Sequence, residues 1–228
     1  MPYSLVTRFD NFATGLIYSD RSVGFMKKGK VTREMILERA AALFNCRGYA
    51  GASMSDIMEV TGLEKGGIYN HFESKEMLAA EAFDYAVRQS AAFVTSALDK
   101  HESPTERLIA FIDIFSQLVK SPAVPGGCPL LNTAIEADDS NPLLRERVQK
   151  AMSRMRAMVE KLVSSGIASG ELPADTEPEN LALLIVSSLE GSLMMGRLYG
   201  DPDFVKPVQR HLIKHIEQLR KNRRGAQK

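Results

Sequence analysis

At 228 residues with 44% hydrophobic side chains the chain can bury a sizeable core, and a small head plus one larger domain is its natural division. A formal net charge of +1 excludes a polybasic coat, so affinity for nucleic acid has to come from local charge. Two cysteines, Cys46 and Cys128, are too few for a disulfide framework and too far apart for a zinc spacing, which implies a reducing compartment and no bound metal or other cofactor. No run approaches the roughly 20 apolar residues of a membrane span, and the first 25 residues lack a basic start followed by an apolar block, so a cytoplasmic location without membrane contact is expected.

Residues 1–25 show no helical periodicity and read as a disordered extension; the head is expected over 26–76. Thr32 can cap a first helix in which Ile36, Ala40, Leu43 and Phe44 repeat at helical spacing and which ends near Arg47-Gly48-Tyr49. Lys27, Lys28, Lys30 and Arg33 cluster at its entrance, offset in the head by Glu34, Asp56, Glu59 and Glu64.

Residues 53–72 read as two short helices joined by a glycine turn, the form of a helix-turn-helix DNA reader. Ser53 is a good N-cap, Asp56 can reach back as in a capping box, and the helix begins at Met54 with Ile57 and Val60 inward. Gly62 stops it, because glycine takes a left-handed conformation that other residues adopt at a cost. A second helix is expected from Lys65 through Phe72. At about 100° per residue Ile68 and Phe72 fall on its buried side, while Gly66, Gly67 and Asn70 fall on the other, where backbone can approach base edges and the Asn70 amide can bond adenine or a phosphate. Tyr69 and His71 flank that side as phosphate donors, and Lys65 and Lys75 place charge at its ends. A helical hairpin whose glycines serve packing alone is the competing reading.

Thr32 to Leu37, Ala40 to Phe44, Gly48-Tyr49, Ser53 to Ile57, Gly62-Leu63, Lys65 to Phe72 and Ser74-Lys75-Glu76 together resemble the TetR/AcrR family of bacterial transcriptional regulators. The resemblance implies that Lys65, Gly66, Gly67, Tyr69, Asn70 and His71 belong to a recognition helix and that Lys75 touches a phosphate. Lys28, Lys30, Thr32, Ser53 and Met54 complete the candidate DNA-contacting set. One position departs: members carry Ser or Thr where this chain has Glu64.

Ser74-Lys75-Glu76 caps a longer helix carrying Leu78, Ala82, Phe83, Ala86 and Val87, which opens a helical effector-binding and dimerisation domain over 77–220. A helix follows from Pro104 to Leu118, then a break at 121–127, a short helix from Pro129 to Glu136, a turn at 138–142, and a long helix to Ser165. Asn132 and Glu136 lie one turn apart and are candidates to orient a ligand in an apolar chamber with Phe111, Phe115, Met152 and Met155; solvated or plain core residues are the alternative. Cys128, beside Gly126-Gly127, has no neighbouring cation in sequence to activate it and reads as a small structural residue rather than a redox-active one.

The segment 178–199 is apolar on most sides, and a last helix spans 202–219 before a basic tail at 221–228. The resemblance implies that these two helices pair with their copies, and Leu189, Gly191, Ser192, Met195, Gly196, His211 and His215 are the candidate interface residues. His211 and His215, one turn apart, lack a third ligand at a known spacing and read as an interface pair. The expected class is all-α, and the expected protein is a dimeric repressor that binds a near-palindromic operator and is released by a small, largely apolar effector. A helical enzyme is the alternative, without a Ser-His-Asp set, phosphate loop or metal motif to support it; a protein-interaction module using the Tyr69 to Phe72 surface is another.

Overall fold

Proline and side-chain caps punctuate the chain. In the computed structural model, which describes residues 28–226, the helices are α1 (Lys28–Arg47), α2 (Met54–Thr61), α3 (Lys65–Tyr69), α4 (Lys75–Leu98), α5 (Pro104–Lys120), α6 (Pro129–Ser140), α7 (Pro142–Ala168), α8 (Pro178–Tyr199) and α9 (Val205–Ala226). No strand occurs among the described residues. Helices α5 to α8 each begin on a proline, whose missing N–H costs nothing in a first turn. Ser74, Ser103 and Asn141 cap α4, α5 and α7 by accepting the N–H of Met77, Glu106 and Leu144.

Several boundaries differ from expectation. Thr32 lies inside α1 and does not cap it, because the helix already starts at Lys28. The short α6 extends to Ser140, and Asn141 alone replaces the expected turn before α7. The recognition segment is shorter: α3 closes at Tyr69, since two consecutive glycines weaken a helix whose N-cap, Glu64, makes no side-chain bond. Its winding continues as a turn, with the N–H groups of His71 and Phe72 both bonding Ile68 O. The expected disordered extension, residues 1–25, and the side chains of Lys28, Lys30 and the basic tail lie outside the described residues.

Three apolar clusters hold the bundle. The first joins Ile36, Ala40 and Leu43 of α1, Ile57 of α2, Ile68 and Phe72 at α3, and Leu78, Ala82 and Ala86 of α4. The second sets Ala80 and Phe83 of α4 against Leu130 and Ala137 of α6 and Leu144, Val148 and Ala151 of α7. The largest gathers α5, α7, α8 and α9 around Phe111, Phe115, Val159, Ile185, Leu189 and Ile216. Helix α4 therefore belongs to both ends, and an Arg147–Asp84 ion pair fastens it to α7. From Glu34 onward the described chain forms one compact unit.

Helix α8 corrects the expectation about apolar runs: by length and composition its 22 residues suffice to cross a membrane. One face, Leu181, Ala182, Ile185, Val186 and Leu189, packs in the bundle, and the opposite face exposes Leu183, Leu184, Met194, Met195 and Leu198. Apolarity on two sides, rather than around the whole helix, is why the sequence looks continuous.

Candidate nucleic-acid interface and its link to the helical body

The capping box at α2 is complete. Asp56 N–H donates to Ser53 Oγ at 3.1 Å, and Ser53 N–H donates back to Asp56 Oδ2 at 2.7 Å. The Ser53 bonds, led by its hydroxyl, hold the Asp56 carboxyl below its ordinary range, and Arg47 adds an ion pair at 2.5 Å. Ser53 and Met54 thus serve the start of α2, the serine as its cap and the methionine packed on the head's core. Gly62 ends the helix at φ 68°, its N–H on Met58 O at 2.8 Å, with no atom near the position of a Cβ. That turn aims α3 outward.

Ile68 and Phe72 are buried, and they present the other side of the segment to solvent. Lys65, Gly66, Tyr69 and Asn70 are exposed, and Gly67 and His71 are half-buried. A Cβ on Gly66 would meet nothing within 4 Å, and one on Gly67 only the Leu63 side chain at 3.7 Å, so this is an open face that backbone can bring against a groove. The Lys65 ammonium lies 5.8 Å from the centre of the Tyr69 ring, a cation–π pair that leaves both polar ends outward. Glu64 sits at the same rim without a capping bond.

Lys75 is placed differently from a simple phosphate contact. Its Nζ donates to Tyr49 O at 2.8 Å and lies 4.3 Å from the Tyr49 ring centre. Tyr49 in turn donates its hydroxyl to Glu76 at 2.7 Å. Burial, then this carboxylate, pushes the Tyr49 phenol up to about 12, while the same bond lowers Glu76. Sequence reasoning missed Tyr49, whose conspicuous signal was only its place after a helix-ending glycine.

The two polar residues expected in a ligand chamber face the head instead. Glu136 accepts the N–H of Tyr49 at 2.7 Å and of Ala50 at 2.6 Å, both carboxylate oxygens being used. Gly48, at φ 79°, makes room: a Cβ there would lie 2.8 Å from Glu136 Oε2. Asn132 donates to Asn45 Oδ1 and Gly126 O, each at 2.8 Å, and accepts from Arg197 Nη1 at 2.6 Å. Asn45 Nδ2 donates to Pro125 O and Gly127 O at 2.9 Å. One amide–guanidinium chain thereby connects α8, the 121–128 loop, α6 and α1. The crevice beneath it, between α1, α4 and α6, holds only about 20 Å³, less than a small molecule needs.

The remaining chamber candidates also separate. Phe111 and Phe115 pack edge to face at 5.4 Å in the main core, and Met155 packs between that core and the α4–α6–α7 cluster. Of the six, only Met152 lines the cavity of about 520 Å³ formed by α6, α7 and α8. Apolar spacing marks a helix face as buried but does not say whether the space beside it is filled. Among the expected interface residues, Leu189, Ser192 and Gly196 are buried within the protomer, whereas Gly191, Met195, His211 and His215 are accessible to varying degrees. Cys128 sits beside Glu190, and burial, then the carboxyl's charge, pushes its thiol well above the ordinary range, so it is held protonated and unreactive.

Residues 36–82 match the family model described as bacterial regulatory proteins, tetR family, and residues 104–212 match the tetracyclin repressor-like C-terminal domain. The chain is 31% identical over 184 residues to an HTH-type transcriptional regulator of Mycobacterium tuberculosis, covering 79% of this chain and 91% of that one. It is 24% identical to the HTH-type transcriptional repressor DhaR of Mycobacterium sp. strain GP1, with 71% and 80% covered. The crystal structure of a TetR transcriptional regulator from Chloroflexus aurantiacus superposes with a TM-score of 0.82 at 47% identity, covering 85% of this chain and 98% of that one.

Proposed function

Because the chain belongs to the TetR family of DNA-binding transcriptional regulators, we propose that it is a homodimeric repressor released from its operator by a small molecule. The observation that carries the DNA half is the exposed face of α3, where Gly66 stands in open space and Gly67 meets only the Leu63 side chain, between Lys65, Tyr69 and Asn70. Such a face suits close backbone approach to base edges with side chains on flanking phosphates.

Dimerisation is supported by the apolar stripe on α8: Leu184, Met195 and Leu198 follow one another at helical spacing and are exposed, and nothing lies within 4 Å of a Cβ on Gly191 between them. A stripe of this kind on a lone protomer marks an interface, and a two-fold dimer presents two recognition segments to successive half-sites of a near-palindrome.

The release step is supported by the path from the α6–α7–α8 cavity to the head. Ala134 and Ala137 of α6 line the cavity, while Asn132 and Glu136 of the same helix bond α1 and the residues after it. A ligand that displaces α6 thereby biases the position of the head. Repression matches the role of the similar transcriptional repressor DhaR, and regulation in the cytoplasm follows from the same reading.

Footprinting and gel shift on the DNA flanking the protein's own gene test the proposal. Protection of a near-palindrome, with affinity falling steeply as salt rises, is expected of a dimer that neutralises phosphates. No salt-dependent duplex binding would favour a protein-interaction role for the Tyr69 to Phe72 surface.

A further inference from the structure

We propose that the α6–α7–α8 cavity binds an amphiphilic amine, its ammonium held by Glu190 and its apolar body against Val148, Met152 and Val186. The regulatory meaning of this site rests on the effector-release reading above; the binding itself does not. Glu190 is 6% exposed, and it lines a cavity of about 520 Å³, the size of a drug-like ligand site. Its Oε1 accepts the Cys128 thiol at 3.1 Å, while its Oε2 is buried with no hydrogen-bond partner among the described residues.

A buried carboxyl with one oxygen unsatisfied costs free energy whichever way it titrates, and a native site that keeps one has a use for it. Burial raises the carboxyl's pKa, the thiol bond opposing this in part. A ligand ammonium opposes that shift by offering a charge-assisted bond to the unpartnered oxygen, which a turn of the carboxyl brings to the cavity. No cation among the described residues supplies it: Arg156, at the cavity wall, leans toward Glu179 at 3.9 Å, and Glu190 forms no ion pair there. Arg145 and Arg156 give the cavity's lining a second, opposite charge, which makes a carboxylate ligand the direct competitor in any test.

Three compounds with one tail and different heads separate these chemistries: 4-phenylbutylamine, 4-phenylbutanol and 4-phenylbutanoate, titrated calorimetrically into the full chain near pH 7. The amine is expected to bind about ten-fold more tightly than the other two, the worth of one buried charge-assisted bond. In Glu190→Gln, which keeps the shape and an acceptor for Cys128, the amine should fall to the level of the alcohol. In Met152→Trp all three should bind more weakly, which locates the site even if the Glu190 variant does not fold. Equal binding by the three, or preference for the carboxylate, overturns the assignment. Operator binding measured in parallel keeps the two readings apart: selective amine binding that leaves DNA affinity unchanged sinks release through this cavity but not the site, and intact operator binding without amine preference sinks the site alone.

Discussion

Glu136 Oε2 accepts the backbone N–H of Tyr49 at 2.7 Å across 87 positions of sequence, with Gly48 pressed against the same carboxylate. Glu136→Ala should leave the half-buried Tyr49 N–H without its acceptor, the exposed Ala50 N–H turning to water, and cost about 1–3 kcal/mol of stability. Gly48→Ala should cost more than a plain loss of the clasp, because it adds a left-handed strain to the steric conflict. Urea titrations of both variants measure this, and a Gly48→Ala protein as stable as wild type would mean that the carboxylate does not close on this loop.

On the open face of α3, Lys65→Ala and Tyr69→Ala should each weaken operator binding by about 1–3 kcal/mol. Neither side chain is in the head's core, so melting temperature and oligomeric state should stay as they are. Fluorescence anisotropy with a labelled operator reads the affinity; two variants with wild-type binding would move the docking face elsewhere.

Gly62 offers a cleaner backbone experiment, since nothing surrounds the position of its Cβ. At φ 68° the whole penalty of a substitution is conformational. Gly62→Val should destabilise by about 1–2 kcal/mol, and Gly62→Asn by less, asparagine being tolerant of that region. Equal melts for the two would contradict a left-handed turn.

The α8 stripe predicts an unusual response to a surface substitution. Leu198 is 74% exposed in the protomer, where a change to Glu ought to be harmless. In a dimer joined through this face, Leu198→Glu should shift the sedimentation coefficient to that of a monomer and reduce operator affinity with it. A variant that remains dimeric places the interface off this stripe.

Tyr49 sets a pH dependence at the alkaline end. Its phenol is raised from 10.0 to about 12 in the folded protein, so its contribution to stability is complete below pH 10 and is lost as pH rises to about 12. Burial also raises Tyr85, so spectrophotometric titration should show a late-ionising component that shrinks, without vanishing, in Tyr49→Phe. A late component of the same size in that variant would assign the late ionisation to another tyrosine, and one unmoved in Glu76→Ala would remove the Glu76 bond as a cause.

What could be read from the sequence was what neighbours in the chain decide. Ser53, Asp56 and Gly62 act within a few residues of one another, and their cap and turn follow from local chemistry. Asn132 and Glu136 were equally conspicuous, but their partners Asn45 and Tyr49 lie 87 residues away, and no local pattern encodes that meeting. Phe111 and Met152 illustrate the other gap: both are apolar at helical spacing, yet one fills a core and the other borders empty volume. Glu190 went unremarked because a single carboxylate in an apolar helix says nothing of which way it faces.

Leu78, Ala82 and Ala86 close the core beneath α1, α2 and α3 from within α4, a helix whose Ala80 and Phe83 are spent on α6 and α7. The reading end of this protein is therefore not a detachable cassette. A chimaera that joins it to a foreign sensor at residue 76 would leave its apolar underside unroofed, whereas a graft carrying the chain through Ala86 would bring its own lid and would need only a compatible α6–α7 seat for Ala80 and Phe83. Swapping specificities between relatives of this kind is consequently a question of matching that seat, more than of transplanting the few side chains that face DNA.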